Sequence, residues 1–216
     1  MRMYPKDPKQ VADCAKYRLL LRSMAEKMNT LGVYDELVRQ YPHFEYWSAS
    51  HNSLLHHYGR GGLVRHTWEI VDLGMTIIPT LDLCGKISPV EFYLAALFHD
   101  TGKMFDYELV EDAKGTYGDP QPEYWKPNEH RRLIYHVPRS ALIWHDVIGK
   151  FPELNAKYHD DVLHDILAHH GKREFGSPVA PKTRAAYLVH LCDSLSACMD
   201  DCERIDTVKT PDQTKV

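Results

Sequence analysis

The tightest constraint in this sequence is a run of seven apolar residues, Phe92 to Phe98, that ends in His99-Asp100. Ser88-Pro89-Val90-Glu91 precedes the run. The serine can accept the backbone N–H three residues on, and proline at the first helical position loses no hydrogen bond there. The segment therefore reads as a helix, and a helix apolar on every side must be buried on most of them. Other helices have to wrap around it. Asp100 is then costly, because a carboxylate in an apolar interior needs a partner or a cation. Asp193 poses the same problem within the apolar pattern Leu188 to Leu195.

Helical periodicity dominates elsewhere, with no convincing run of alternating strands. Val11 to Met28 reads as a first helix with Ala12, Ala15, Leu19 and Leu20 on one side. A short helix is expected over Tyr34 to Arg39, followed by irregular aromatic packing from Tyr41 to Trp47. Val64, Trp68, Val71, Met75 and Ile78 recur at helical steps until Pro79. Between Phe105 and Pro127 the periodicity is lost, which predicts a long loop with room for a short hairpin. Helices resume over Pro138 to Lys150 and Asn155 to His169, the latter closed by Gly171. A last helix, about Lys182 to Cys202, is expected to direct Leu188, Leu191, Leu195, Cys198 and Cys202 to the core. The expectation is an all-α bundle with a long loop near its site, forming one domain over residues 1–216. Its motif core spans about 50–202, a helical extension 1–49, and a flexible polar tail 207–216.

A length of 216 residues is enough for one hydrophobic core. A net charge of −4 supplies no global field toward nucleic acid or membrane, although a local basic groove would suffice for a nucleic-acid substrate. Met1 to Gln10 does not read as a signal peptide, and the longest apolar run is too short to span a bilayer. Five cysteines without a CxxC motif suggest reduced thiols and a cytoplasmic setting.

Six positions carry the chemistry: His66, His99, Asp100, His136, His169 and Asp193. Taken singly, His66 or His136 reads more readily as an ordinary hydrogen-bonded histidine than as a metal ligand. His145-Asp146 and His159-Asp160 repeat the His99-Asp100 dipeptide on more polar stretches, and read as solvated or supporting residues. Two acids in apolar surroundings together with several histidines point instead to a shared cation. Imidazole and carboxylate suit Mn, Fe, Co, Ni or Zn, with Mg also admissible, and one aspartate can bridge two ions in phosphoryl chemistry. The absence of clustered cysteines argues against a structural zinc site.

The order H…HD…H…H…D, with His99-Asp100-Thr101-Gly102-Lys103 at its centre, resembles the HD phosphohydrolase superfamily. Within it the chain is most similar to the catalytic domain of the YhaM-type 3′→5′ exoribonucleases. His56 to Thr67 and His169-His170-Gly171-Lys172-Arg173-Glu174-Phe175-Gly176-Ser177-Pro178 carry that likeness, which covers roughly residues 50 to 200. The resemblance implies a first divalent metal on His66, His99 and Asp193, with Asp100 bridging. His136 and His169 complete a second site, and His170 is either a further ligand or a residue behind one. Asp100 and Lys103 are the catalytic candidates, with Lys103 beside the scissile phosphate. Gly62 stands where some relatives place a glutamate for a third metal, which favours two ions. Arg60, Arg65, Lys172 and Arg173 flank the motifs as candidates to clamp phosphate.

The likeness thins in places. No strand pattern of an OB-fold precedes His66, Tyr135 replaces the family's glycine, and Asp106 to Arg132 is longer than its counterpart. Tyr107, Tyr117, Tyr124 and Trp125 in that region could stack bases or pack the loop. The expected activity is hydrolysis of a phosphoester in a nucleotide or short single-stranded nucleic acid, leaning to 3′→5′ exonuclease or phosphodiesterase. A nucleotidase is the enzymatic alternative, and a regulatory or DNA-mobilisation module the non-catalytic one.

Overall fold

The computed structural model describes residues 8–52, 55–110 and 124–208. The fold is all-α: α1 (Pro8–Lys27), α2 (Leu31–Gln40), α3 (Gly62–Thr80), α4 (Pro89–Phe98), α5 (Lys103–Asp106), α6 (Glu129–Leu133), α7 (His136–Ile148), α8 (Pro152–Ala168) and α9 (Arg184–Val208). Tyr41 to Trp47, expected to be irregular, contains a 3₁₀ turn over Pro42–Glu45. The stretch read as a long loop holds two short antiparallel strands, β1 (Tyr107–Val110) and β2 (Tyr124–Pro127), with Tyr107 opposite Pro127 and Val110 opposite Tyr124. Tyr117 and the tail beyond Val208 lie outside the described residues.

α4 is the axis of the molecule. The Ser88 hydroxyl accepts the Glu91 N–H at 3.3 Å, and Pro89 opens the helix. Every residue from Phe92 to Phe98 is buried, because α3, α7, α8 and α9 all pack around α4. Burying each of the larger side chains contributes about 1.5–3 kcal/mol relative to exposure. With its sides occupied, α4 delivers His99 and Asp100 into the interior.

Two helices are rotated from the expected faces. α1 turns Cys14, Leu21 and Ala25 inward and leaves Leu19 exposed. Its docking partner is α3, and Gly61, in the left-handed region at φ 76°, makes room for Cys14: a Cβ there would meet Sγ at 2.2 Å. A Cβ on Gly62 would lie 1.8 Å from the His57 carbonyl oxygen. Tight packing at the start of α3 therefore accounts for both glycines. α9 turns Ala185, Leu188, Val189 and Cys192 inward, while Leu191, Leu195, Cys198 and Cys202 are exposed. The expected core stripe was the more apolar one. The stripe that packs carries Asp193, Ser196 and Asp200 on its continuation, so α9 is set by the polar groups it must aim at α3. α9 also continues to Val208, past the expected end at Cys202.

Candidate metal centre

The six residues singled out in the sequence converge, and His170 joins them. They fall into two overlapping groups, His66–His99–Asp100–Asp193 and Asp100–His136–His169–His170, each with ligand atoms within 4.8 Å of one another. Asp100 belongs to both. Its Oδ2 lies 3.2 Å from His99 Nε2 and 3.4 Å from His66 Nε2, while its Oδ1 lies 3.4 Å from His136 Nε2 and 3.7 Å from His169 Nε2. One oxygen thus faces each group. Asp193 Oδ1 sits 3.0 Å from His66 Nε2. A third trio, His56, His57 and His66, is equally close. Because His66 Nε2 already faces Asp100 and Asp193, that trio is not independent of the first group.

Hydrogen bonds behind the rings decide which nitrogen is offered. His99 Nδ1 faces the Ala96 carbonyl at 2.8 Å, His169 Nδ1 the Ile166 carbonyl at 2.7 Å, and His170 Nδ1 the Phe175 carbonyl at 2.7 Å. His136 Nδ1 faces Asp106 Oδ2 at 3.2 Å. Since a carbonyl or carboxylate only accepts, each Nδ1 must carry the proton. His66 Nδ1 faces the Ser196 hydroxyl at 3.0 Å, which itself donates to Glu69 Oε2 at 2.8 Å, so this Nδ1 is protonated too. All five rings then turn the lone pair of Nε2 inward when neutral, the tautomer that metal-binding histidines hold.

Those nitrogens are brought close together. His136 Nε2 and His170 Nε2 are 3.3 Å apart, and His66 Nε2 and His99 Nε2 are 3.4 Å apart. Asp100 Oδ1 and His169 Nε2 are buried without a hydrogen-bond partner, while Asp100 Oδ2 is met by the Lys103 ammonium. Such an array repels itself unless positive charge enters it, and the donor set suits divalent ions. Burial lowers the pKa of His136, drives that of His169 far down and takes His170 to about 4, which keeps these rings neutral. For His66, burial acts the same way, but Asp100 and Asp193 outweigh it and the net shift is upward. Burial would raise Asp100, yet Lys103 and His99 hold it well below the carboxylate range. Lys103 Nζ lies 2.6 Å from Asp100 Oδ2; burial opposes its charge, but Asp100 raises its pKa and keeps it cationic.

The remaining sequence candidates lie around this centre. Arg65 is engaged with Glu69 at 2.7 Å and Asp200 at 3.3 Å, Arg60 is buried, and Lys172 and Arg173 are exposed on the loop after His170. Of the four aromatics in the long loop, Tyr107 and Trp125 are buried, Trp125 against Trp47 with ring centroids 4.5 Å apart, and Tyr124 is exposed. Residues not foreseen support the ligands: Glu69 receives His57 Nε2 at 2.8 Å as well as Ser196, Asp200 accepts the His57 backbone N–H at 2.6 Å, and Asp106 holds His136 and His130. Glu69 and Ser196 lie three residues after His66 and Asp193, a helical companion spacing that could have flagged them. Asp106 has no such signal.

Two backbone features fix the second group. A Cβ on Gly102 would lie 2.1 Å from the His136 carbonyl oxygen, so the turn after Asp100 abuts the start of α7, and Ser140 Oγ accepts the Gly102 N–H at 2.8 Å. Tyr135, the residue before α7, has φ 71° and ψ 156°. That region is essentially restricted to glycine and costs of order 1–3 kcal/mol for a side chain.

The chain belongs to the HD domain family, whose pattern it matches over residues 63–198. It is similar to the 3′-5′ exoribonuclease YhaM of Geobacillus sp. (strain WCH70), at 26% identity over 176 residues, 80% of this chain and 48% of that protein. It is likewise similar to the 3′-5′ exoribonuclease YhaM of Bacillus pumilus (strain SAFR-032), at 27% identity over 174 residues, 79% of this chain and 49% of that protein. The chain thus spans about half the length of these curated relatives. No solved structure matches it significantly. Among the described residues no helix is long and apolar enough to cross a membrane.

Proposed function

We propose that this chain is a metal-dependent phosphohydrolase that removes a terminal phosphoester from a nucleotide or a short single-stranded nucleic acid, leaning to 3′→5′ exonucleolytic cleavage. The observation that carries the reading is the convergence of five histidine Nε2 atoms on the two buried oxygens of Asp100. Two divalent ions would be held by His66, His99 and Asp193 on one side and by His136, His169 and His170 on the other, with Asp100 common to both. Bound there, such ions supply Lewis-acid polarisation of a phosphoryl group and lower the pKa of water toward neutrality. Lys103 sets a permanent positive charge where phosphoryl oxygens must lie to approach Asp100, and favours the extra negative charge of the transition state.

Access supports a terminal bond. His66, His99, Asp100, His136 and His169 are buried, and only His56, His170 and Asp193 at the edge are partly exposed. A chain end or small phosphoester reaches such a recess, whereas a strand lying across it does not. Lys172 and Arg173 follow His170 and are the remaining candidates to meet phosphate from solvent. The names of the relatives favour the exonuclease reading over a nucleotidase. The test measures metal content of the purified protein, release of mononucleotides from a labelled oligonucleotide, and phosphate release from a nucleotide panel in Mn²⁺. Mononucleotide release supports the lean, phosphate release alone supports a nucleotidase, and inactivity with no bound metal defeats both.

A further inference from the structure

Resting on that reading, we propose that Tyr135 is a stacking platform for a nucleobase, held beside the phosphate subsite in a strained backbone conformation. A side chain at φ 71° and ψ 156° persists only when surrounding contacts over-determine it. Glycine would sit there without penalty, so the ring is what the strain maintains. Its backbone N–H donates to the His130 carbonyl at 3.1 Å, and its own carbonyl accepts the Arg139 N–H at 3.4 Å.

The strain places the ring at the second group of donors. The Tyr135 centroid lies 4.1 Å from that of His136 and 6.1 Å from that of His170. The side chain is partly exposed, unlike the buried rings of Tyr107 and Trp125. The Arg131 guanidinium lies 5.7 Å from the Tyr135 centroid and 5.3 Å from that of Tyr107, and donates to the Tyr107 hydroxyl at 2.5 Å. Arg131 is thereby fixed between two aromatic rings at the rim of the recess. An aromatic face with a fixed cation, next to a site suited to phosphate, fits a nucleoside phosphate: phosphoryl group inward, base against the ring. Stacking of this kind tolerates any base, because every base has a π-face.

The test is titration calorimetry on the full chain in Mn²⁺ with adenosine 5′-phosphonate and methylphosphonate, neither of which carries a cleavable phosphoester. Wild type binds the adenosine compound more tightly than methylphosphonate. Tyr135→Ala and Tyr135→Gly weaken adenosine binding by roughly 5- to 100-fold and leave methylphosphonate unchanged, as loss of one stacked base predicts. Tyr135→Phe retains wild-type affinity. The strain is read separately by melting: Tyr135→Gly melts higher than Tyr135→Ala, although both lack the ring. The platform is overturned if the glycine and alanine variants bind the adenosine compound like wild type, or if wild type takes up manganese and methylphosphonate but gains nothing from adenosine. In the second case the phosphohydrolase reading stands. If wild type binds neither ligand nor manganese, that reading falls and the platform with it.

Discussion

Two of the buried carboxylates meet opposite electrostatic fates. Asp100, at the end of α4, and Asp165, on α8, are both buried and each has a partnerless oxygen. Around Asp100 stand Lys103 and a ring of imidazoles, which keep it ionised against the cost of burial. Around Asp165, burial and neighbouring acids dominate among the described residues. Burial, with Glu91 and Asp161 nearby, pushes its pKa up to about 8, and one hydrogen bond from the Thr183 hydroxyl at 3.0 Å does not compensate. At neutral pH Asp165 is mostly a neutral acid, while Asp100 is an anion held by the Lys103 cation and faced by imidazoles. A buried acid alone is thus not a metal signature; the donors converging on it are.

That contrast breaks most readily at Asp100. Asp100→Asn is expected to lose bound metal from both groups and to lower turnover by at least about 10²–10³-fold. Metal analysis by mass spectrometry together with steady-state kinetics reads both, and retention of metal would make Asp100 merely another buried acid. Next in size, Lys103→Met removes the cation beside Asp100, and chemical denaturation of the metal-free protein should show a loss of about 3 kcal/mol, the scale of a broken buried pair. Glu69→Gln and Asp106→Asn leave the inward donors in place but remove the groups orienting His66 and His136. Each should weaken metal binding about 10- to 100-fold in competition with a chromophoric chelator.

At Asp165 the effect is graded with pH. Its folded pKa of about 8 lies above the ordinary 3.8, so the native state holds the proton more tightly than the unfolded chain. Its contribution is therefore greatest in acid and declines as pH rises from about 4 toward about 8, by at most about 1.4 kcal/mol per pH unit. Asp165→Asn cannot ionise, and melting curves across that range should show its slope flattened relative to wild type. An unchanged slope would mean that Asp165 is ionised and partnered after all.

Asp100 was legible because its setting is local: seven apolar neighbours precede it in the chain. Asp165 was not, because α8 carries Asp160, Asp161 and Asp165 among polar residues, and only its packing against α4, α7 and α9 selects which of them is interior. The same reason hid the rotation of α9. Hydropathy favours the stripe through Leu191 and Leu195, whereas packing favours the one through Cys192 and Ser196. The histidines at the centre were legible as residues, but the choice between His169 and His170 was not, since it depends on where the loop to Phe175 places a carbonyl. Tyr135 showed in the sequence only as a departure from a glycine; its backbone, in a region that suits glycine, could not be read there.

Gly102 has a further consequence for the ions themselves. With the His136 carbonyl filling the volume where a methyl group would stand, the turn bearing Asp100 and the helix bearing His136 touch backbone to backbone. Side chains can repack, but two main chains in contact cannot move closer. The gauge of the cradle is therefore preset on that side, and any discrimination between cations of different radius would fall to the other group of donors, where Asp193 is partly exposed.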